Sequence, residues 1–326
     1  MGNIVRRKIK GRHYFYLEKT VKFGEKKWRK VSVYLGKEVL SKKELLAKEK
    51  KLGKKVKSAV LDFYNEKLGN FKFNFLTRKE LAELERLKDN FWARFDKLSP
   101  LQKIGVEKKQ VIDFVYTTLR TEGIDVNFSD VKTAYRILGK KKGKPVFSGK
   151  VIISSSMITG FNFLPKIKLD EKDVLRLHGI VMSYFEDKTP GQLRDDQRII
   201  AKFNPKTLQS EEINYRPPKP EKIKKLFNEF FDWLNANSGT HPIELASLVH
   251  LKIYLIHPFK DGNKRMCRLL FNKVLMDSNY PMINISKNTS KYFEALSRSV
   301  ETGEEKFFVK YCYKTFIEQV KHKRLN

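Results

Sequence analysis

Apolar residues recur at helical spacing through most of the chain, most regularly beyond residue 108. The segment IELASLVHLKIYLI at 243–256 places them three or four positions apart, which predicts a buried helix. A second apolar face runs from Met266 to Leu275 and predicts a helix that begins near Asn263. Further amphipathic stretches occupy 169–186, 223–237, 288–300 and 304–321. The pattern therefore predicts a mainly α-helical domain over residues 108–326.

The first 36 residues follow a different pattern, in which aromatic and β-branched residues partly alternate with charged ones. The segments 3–10, 13–21 and 28–36 have the composition of strands, and KFGEKK at 22–27 supplies a turn between the last two. We therefore predict a small antiparallel meander in a basic N-terminal domain over residues 1–40.

Residues 41–107 change to a charged helical pattern in which lysine and glutamate alternate, as is typical of exposed helices. Ser41 with Glu44 resembles a capping box, and Thr77 with Glu80 resembles another. This segment is predicted to be a helical connector between the sheet and the larger domain.

The connector is followed by a helix over about 108–123. Val111, Val115 and Leu119 form its apolar stripe, and Gly123 lies where a C-terminal glycine is expected. Thr118 and Glu122 are four residues apart, so they project from the same face of this helix.

The net charge changes the range of partners to consider. The chain has 68 Lys and Arg against 37 Asp and Glu, and residues 1–60 alone hold 20 against 5. Such an excess usually attracts a polyanion, so nucleic acid is a candidate partner of residues 1–60. Basic residues there alternate with Tyr14, Tyr16, Trp28 and Tyr34, which offer stacking surfaces, although a solvated cationic face has the same composition.

Long apolar runs are missing from the sequence. No segment approaches 18 uninterrupted apolar residues, and the first residues lack the apolar stretch of a signal peptide. We therefore expect a cytoplasmic protein without a membrane partner.

Two residues in the turn after 243–256 have side chains suited to transfer chemistry. His257 ends the predicted buried helix, and an imidazole that titrates near neutral pH can accept the proton of an attacking hydroxyl. Asp261 provides a hard oxygen ligand, and Mg²⁺ on a nucleotide is typically held by one or two carboxylates and by phosphate oxygens. The pair indicates a catalytic base beside a metal-bound nucleotide.

The same turn also predicts a phosphate site. Gly262 removes a side chain and lets the backbone approach a ligand, while Asn263 has the residue type of a helix N-cap. The free N–H groups of a helix start bind anions. Arg265 and Arg268 lie three residues apart and add fork-shaped donors suited to phosphate.

Residues 257–268 resemble the signature of the Fic family, H-x-F-x-[D/E]-G-N-G-R-x-x-R. The matching positions are His257, Phe259, Asp261, Gly262, Asn263, Arg265 and Arg268. The resemblance implies a fold with a Fic-type helical core and a β-hairpin flap, here preceded by the small sheet and helices. It also implies a protein adenylyltransferase that moves AMP from ATP, with Mg²⁺, to a Ser, Thr or Tyr hydroxyl.

One position departs from the family pattern, because Lys264 replaces its second glycine. In the related death-on-curing toxins a lysine at this place accompanies transfer of phosphate instead of AMP. Protein phosphotransfer is therefore an alternative function, and a nucleic-acid-binding protein is another. The retained Asp-Gly-Asn and second arginine favour AMP transfer.

The resemblance assigns further residues. Thr118, Glu122 and Gly123 are similar to the inhibitory motif [S/T]-x-x-x-E-[G/N], which implies that Glu122 neutralises Arg268 where a terminal phosphate would lie. Tyr292 and Phe293 resemble the aromatic pair near the adenine, so the predicted nucleotide contacts are Gly262, Asn263, Lys264, Arg265, Arg268, Tyr292 and Phe293. Residues 194–216 resemble the flap on which a protein substrate docks. Self-modification and a homodimer are both compatible with this interpretation.

Overall fold

The computed structural model describes residues 2–23, 27–37, 40–139, 148–204 and 209–321. The chain divides into two compact units. The first consists of Met1–Phe71 and Thr77–Lys97, and the second of Lys72–Leu76 and Leu98–Asn326.

The first unit contains the predicted meander. Its strands are β1 (Asn3–Ile9), β2 (Arg12–Phe23) and β3 (Lys27–Gly36), which pair antiparallel in the order β1-β2-β3. A register shift between Phe15 and Tyr16 marks a bulge in β2. The three-stranded sheet is confirmed, while the central residues of the predicted turn, 24–26, lie outside the described residues.

Two helices complete this unit, α1 (Lys42–Lys67) and α2 (Arg78–Phe95), with a short 3-10 turn at Leu68–Asn70. Both predicted capping boxes are present at their starts. Helix α1 packs on one face of the sheet, and the shared core consists of Leu17, Val31, Val33, Leu35, Leu52 and Ala59.

The second unit is helical apart from one hairpin. Its helices are α3 (Pro100–Thr121), α4 (Phe128–Leu138), α5 (Gly149–Phe163), α6 (Glu171–Val181), α7 (Pro220–Ala236), α8 (Pro242–Ile256), α9 (Asn263–Asp277), α10 (Thr289–Thr302) and α11 (Lys306–Lys321). Short 3-10 turns occupy Leu164–Lys166 and Glu186–Lys188, and the hairpin consists of β4 (Ile200–Asn204) and β5 (Gln209–Tyr215). The predicted fold class is therefore confirmed. Residues 205–208 of the flap lie outside the described residues.

Helices α8 and α9 form the centre of this unit, because both are buried on nearly every side. Buried glutamate Glu244 on α8 accepts three backbone hydrogen bonds, from Asn74 (2.9 Å), Phe75 (3.0 Å) and Leu76 (2.7 Å). These donors satisfy a carboxylate that is 0% exposed. Segment Lys72–Leu76 is thus held in the second unit although α1 and α2, which flank it in sequence, belong to the first.

One helix starts earlier than its apolar stripe suggests. Helix α3 begins at Pro100, whereas Val111 opens the stripe, because its first turns are exposed and Leu101 is 79% accessible. A capping box of Ser99 and Gln102 with a proline at the first helical position marks the true start.

Among the helices that the structure describes, none has the length and apolar character needed to cross a membrane.

Candidate active site at the α8–α9 turn

Helix α8 ends at His257, whose backbone is left-handed, with φ 50° and ψ 57°. Its N–H still donates to the Ile253 carbonyl at 2.9 Å, which completes the last helical turn. A residue that precedes proline normally adopts an extended backbone, and a non-glycine residue in the left-handed region is strained. The surroundings of His257 must therefore fix this conformation.

Arg194 supplies much of that constraint. Its backbone N–H donates to the Pro258 carbonyl at 2.9 Å, and its Nε donates to the His257 carbonyl at 2.7 Å. The remaining guanidinium nitrogens donate to the carbonyls of Asp196 (2.5 Å) and Pro218 (2.6 Å), at the two ends of the flap. This side chain is buried and joins the base of the flap to the turn that carries His257.

His178 orients the other half of the turn. Its ring stacks on Phe259, with centroids 3.8 Å apart. The Gly191 N–H donates to Nδ1 at 2.9 Å, so Nε2 carries the proton and donates to the Asp261 carbonyl at 3.1 Å. Desolvation lowers the pKa of His178 to about 4, which keeps the ring neutral in this role.

The start of helix α9 differs from the prediction. Gly262, with φ 76°, is the N-cap residue, and no side chain caps the helix. Asn263 is the first helical residue, and its amide instead donates to and accepts from the Phe259 backbone at 2.7 and 3.0 Å. The assignment of Asn263 as N-cap was wrong, because its amide closes the preceding turn. Because no side chain caps α9, its first N–H groups remain available to bind an anion.

Gly262 is also required for space. A side-chain carbon at this position would lie 2.7 Å from the Met182 sulfur. The turn therefore needs glycine both for its positive φ and for its close approach to α6.

Two buried arginines lie in the first two turns of helix α9. Arg265 is 2% exposed and Arg268 is 0% exposed. The Nε atom of each, and Nη2 of Arg268, have no hydrogen-bond partner among the residues that the structure describes. Buried guanidinium donors without partners are costly unless an anion satisfies them. Together with the open N–H groups of α9, they fit the phosphates of a nucleotide.

Glu122 approaches this cradle from the end of α3. Its Oε1 accepts from Arg268 Nη1 at 2.9 Å, and its Oε2 lies 3.7 Å from the Lys264 ammonium. Arg268 Nη1 also points at the Thr118 carbonyl, at 3.4 Å. The contact expected between Glu122 and Arg268 is present, and Lys264 adds a second cation that sequence reasoning did not place there.

The charge state of Glu122 reflects these neighbours. Desolvation alone would raise the pKa of its carboxyl group, but Lys264, Arg268 and Arg265 outweigh that and lower it to about 2. Glu122 is therefore ionised at neutral pH and compensates much of the positive charge of the cradle.

His257 lies beside the cradle as a neutral imidazole. Desolvation lowers its pKa to about 4, assisted by the charges of Arg194 and Lys264 and partly offset by the Tyr254 backbone. A neutral ring is the form that accepts a proton.

Asp261 has a carboxylate that remains half-exposed. One oxygen accepts from the Gly262 N–H at 2.5 Å, and the other lies 3.2 Å from Arg265. The described residues contain no group of three or more histidine, cysteine or carboxylate side chains that could hold a metal alone. A single carboxylate can hold Mg²⁺ only when phosphate oxygens provide further ligands to the ion.

The predicted aromatic pair is divided between the core and the cradle. Tyr292 is fully buried, its ring lies 5.2 Å from the Arg268 guanidinium, and its hydroxyl is 2.9 Å from His250 Nε2. Phe293 is half-buried, with the Lys264 ammonium 5.5 Å from its ring centroid. Of the two rings, only Phe293 is open to a ligand in this conformation. Contact with adenine stays a prediction.

Comparison with known proteins is consistent with this geometry. Residues 168–275 match the Fic/DOC family. Two relatives, each called protein adenylyltransferase Fic, come from Drosophila willistoni and Drosophila virilis. Both are 27% identical over 242 residues, which is 72% of this chain and 46% and 47% of theirs. The chain thus spans about half the length of these curated relatives.

Solved structures share the fold. A Fic-domain signalling protein from Bacteroides thetaiotaomicron has a TM-score of 0.61 at 22% identity, covering 74% of this chain and 98% of that protein. A Fic family protein from Desulfovibrio desulfuricans has a TM-score of 0.62 at 19% identity, covering 77% and 75%. A fragment of Fic-1 from C. elegans has a TM-score of 0.60 at 22% identity, covering 86% and 76%.

Proposed function

We propose that this chain, in which residues 168–275 form a Fic/DOC-family domain, is a protein adenylyltransferase that its own Glu122 inhibits. One observation carries the proposal. The neutral His257 lies beside two arginines with unpartnered donors, and the Glu122 carboxylate forms an ion pair with one of them, Arg268. The names of the relatives support the same activity.

The proposed reaction uses ATP and a hydroxyl group of a protein. The hydroxyl oxygen bonds to the α-phosphorus, the bond from that phosphorus to the oxygen bridging to the β-phosphate breaks, and pyrophosphate leaves. His257 accepts the hydroxyl proton. Positioning and fixed positive charge supply most of the rate enhancement, as in other phosphoryl-type transfers.

The nucleotide would lie on the start of α9. The N–H groups after Gly262, with Arg265 and Arg268, hold the phosphates, and Phe293 offers a surface for the base. Asp261 would hold Mg²⁺ together with phosphate oxygens, and the ion would neutralise phosphate charge.

The target chain would dock on the flap. Strands β4 and β5 form a hairpin between Ile200 and Tyr215, and a hairpin edge can accept an extended peptide by strand addition. Arg194 links the two ends of this hairpin to the His257 carbonyl. A hydroxyl group of a docked chain would therefore be placed against the His257 imidazole. The protein itself is one available substrate.

The transferred group is tested with labelled nucleotide. We expect the α-label of ATP to stay on protein and the intact mass to rise by one AMP. Retention of the γ-label would instead support phosphotransfer, which Lys264 made an alternative. If the Glu122→Gly variant, in which the proposed inhibition is removed, left neither label on protein, the proposed function would be contradicted.

Lys264→Gln gives a second discrimination. Because the Lys264 ammonium is partly exposed and 3.7 Å from Glu122, the pair contributes about 0–1 kcal/mol to the inhibited state, so its loss should raise AMP transfer by at most about 5-fold. A phosphotransferase that depends on Lys264 would lose activity. The matched control is Lys260→Gln, which removes a partly exposed lysine of the same turn that pairs with Asp195. An equal change in both variants would contradict a specific role for Lys264.

Arg194→Lys should lower kcat by about 10–100-fold and leave the KM for ATP nearly unchanged. Lysine keeps the charge but cannot hold the carbonyls of His257, Asp196 and Pro218 at once, and small misplacements of a catalytic group are costly. Steady-state kinetics check the split between kcat and KM. Arg198→Lys, at a more exposed site paired with Asp196, is the control. Similar kinetics for both variants would show that Arg194 does not position His257.

His257 should not titrate near pH 6.5 in the nucleotide-free protein. Its lowered pKa leaves the ring neutral above about pH 5, and protonation becomes appreciable only as the pH falls towards 4. Adding a non-hydrolysable ATP analogue with Mg²⁺ should raise the midpoint, because phosphate charge stabilises the imidazolium form. The His257 imidazole signal is assigned as the one that is missing from the NMR spectrum of His257→Ala, and its pH titration measures the midpoint. A midpoint near pH 6.5 without nucleotide would contradict the lowered pKa of His257.

A further inference from the structure

The N-terminal sheet has one covered and one open face. Leu17, Val31, Val33 and Leu35 pack against α1. Because side chains alternate along a strand, the residues between them project from the opposite face. The register places Tyr16 opposite Tyr34, Tyr14 opposite Arg7, and Trp28 opposite Lys22. Lys30, next to Val31 in β3, projects from the same open face. We call the set Arg7, Tyr14, Tyr16, Lys22, Trp28, Lys30 and Tyr34 the aromatic face.

The rings of the aromatic face are accessible to solvent, and those of the three tyrosines lie close together. Trp28 is 63% exposed and Tyr34 is 44% exposed, while Tyr14 and Tyr16 are partly exposed. The Tyr34 ring centroid lies 6.1 Å from that of Tyr14 and 5.4 Å from that of Tyr16. Trp28 lies further along β3, six residues from Tyr34. Exposed aromatic rings along one face of a sheet indicate a binding function.

A cation lies close to each of three rings. The Arg7 guanidinium lies 4.8 Å from the Tyr16 centroid, the Lys22 ammonium lies 5.4 Å from that of Trp28, and the Lys37 ammonium lies 6.0 Å from that of Tyr14. Glu18, which pairs with Arg7, is the acidic residue at this face. Flat rings alternating with positive charge match a ligand that alternates bases with phosphates.

The edge of β3 is not suited to a peptide partner. Lys48 donates to the Tyr34 carbonyl at 3.1 Å, and Lys55 donates to the Ser32 carbonyl at 3.4 Å. These lysines from α1 occupy acceptors that a new strand would need, and lysines at an edge discourage strand addition. Binding is therefore expected on the face and not along this edge.

We propose that the aromatic face binds single-stranded nucleic acid, with bases stacked on Trp28 and the tyrosines and phosphates neutralised by Arg7, Lys22, Lys30 and Lys37. The excess of 20 basic over 5 acidic residues in residues 1–60 supplies the attraction. A single strand fits better than a duplex, because only unpaired bases expose their flat surfaces to aromatic side chains. This inference concerns the first unit and does not depend on the transferase activity.

The test measures binding of the full chain to a fluorescent oligothymidylate of about 20 nucleotides, longer than the ~4–16 nucleotides that one such module covers. Fluorescence anisotropy without ATP should show affinity that weakens steeply between about 50 and 200 mM salt. Trp28→Ala and Tyr34→Ala should each weaken binding by about 5–100-fold, which corresponds to the loss of one stacked base.

Matched controls separate stacking from general attraction. Leu101→Ala removes an exposed apolar side chain of the second unit and should leave binding unchanged. Lys30→Glu on the sheet should weaken binding far more than Lys222→Glu, an equal charge change at an exposed position on α7. Circular dichroism confirms that the variants remain folded.

Two results would overturn the proposal. One is an equal loss in both lysine variants with no loss in the aromatic variants, which would show attraction to any polyanion. The other is that the chain binds a duplex of the same length more tightly than the single strand, and that Trp28→Ala and Tyr34→Ala leave this binding unchanged. A failure of AMP transfer would affect neither measurement.

Discussion

Glu122→Gly is expected to raise self-modification by roughly 5–150-fold, the range that a coupling free energy of ~1–3 kcal/mol produces. In the parent, Arg268 Nη1 is bound to Glu122, so a terminal phosphate must compete with a carboxylate of the same chain. Removing that carboxylate frees the arginine for ATP. Transfer of α-labelled AMP measures the gain.

The same substitution should lower the stability of the resting protein. Removing one partner of a buried ion pair generally costs about 3–5 kcal/mol, and among the described residues Arg268 would retain the Thr118 carbonyl at 3.4 Å and the Tyr292 ring. Mg-ATP supplies a new anion, so it should raise the melting temperature of the variant more than that of the parent. Thermal unfolding with and without Mg-ATP tests this expectation.

Controls assign both effects to one contact. Glu122→Gln keeps the shape of the side chain and removes its charge, so it should reproduce much of the activation. Adding Arg268→Ala should cancel the activation, since both changes act through the same arginine. A Glu122→Gly protein no more active than its parent, under conditions where the parent binds Mg-ATP, would refute the inhibitory role.

His257→Ala should lower AMP transfer by about 10²–10⁴-fold, the usual contribution of a general base. Affinity for Mg-ATP should change little, because the proposed phosphate contacts are Arg265, Arg268 and the start of α9 and do not include His257. Activity is measured in the Glu122→Gly background, where the gain in signal makes a large loss visible, and affinity is measured by calorimetry.

The control for this loss is His13→Ala, which removes an exposed histidine from the N-terminal sheet and should leave transfer unchanged. Parent-like turnover in His257→Ala would remove the catalytic assignment. A parallel loss of Mg-ATP affinity would indicate that His257 holds the nucleotide instead of the proton.

Sequence patterns predicted the parts of this protein that neighbouring residues determine. Strand alternation gave β1 to β3, and the capping boxes at Ser41 and Thr77 are local arrangements of four residues. The apolar helix α8 followed by proline placed His257 at a helix end. The expected contact of Glu122 with Arg268 relied on the family resemblance, since the two residues are 146 positions apart.

The supports of the site were not predictable in this way. Arg194 reaches the His257 carbonyl across 63 positions, and His178 reaches Asp261 across 83. Periodicity contains no information about such contacts. Even a local preference failed at Asn263, because its amide closes a turn with Phe259 that local propensity does not reveal.

The buried Glu244 carboxylate constrains how this protein can be shortened or recombined. Its three donors come from Asn74, Phe75 and Leu76, which lie between the two helices of the N-terminal unit in sequence. A gene truncation that removes everything before Leu98 would leave a buried carboxyl group without its three donors, at a cost of about 1–3 kcal/mol. A truncation that keeps residues 72–76, or one accompanied by a change at Glu244, is therefore expected to be less destabilising. Residues 72–76 and helix α8 are thus expected to be retained together.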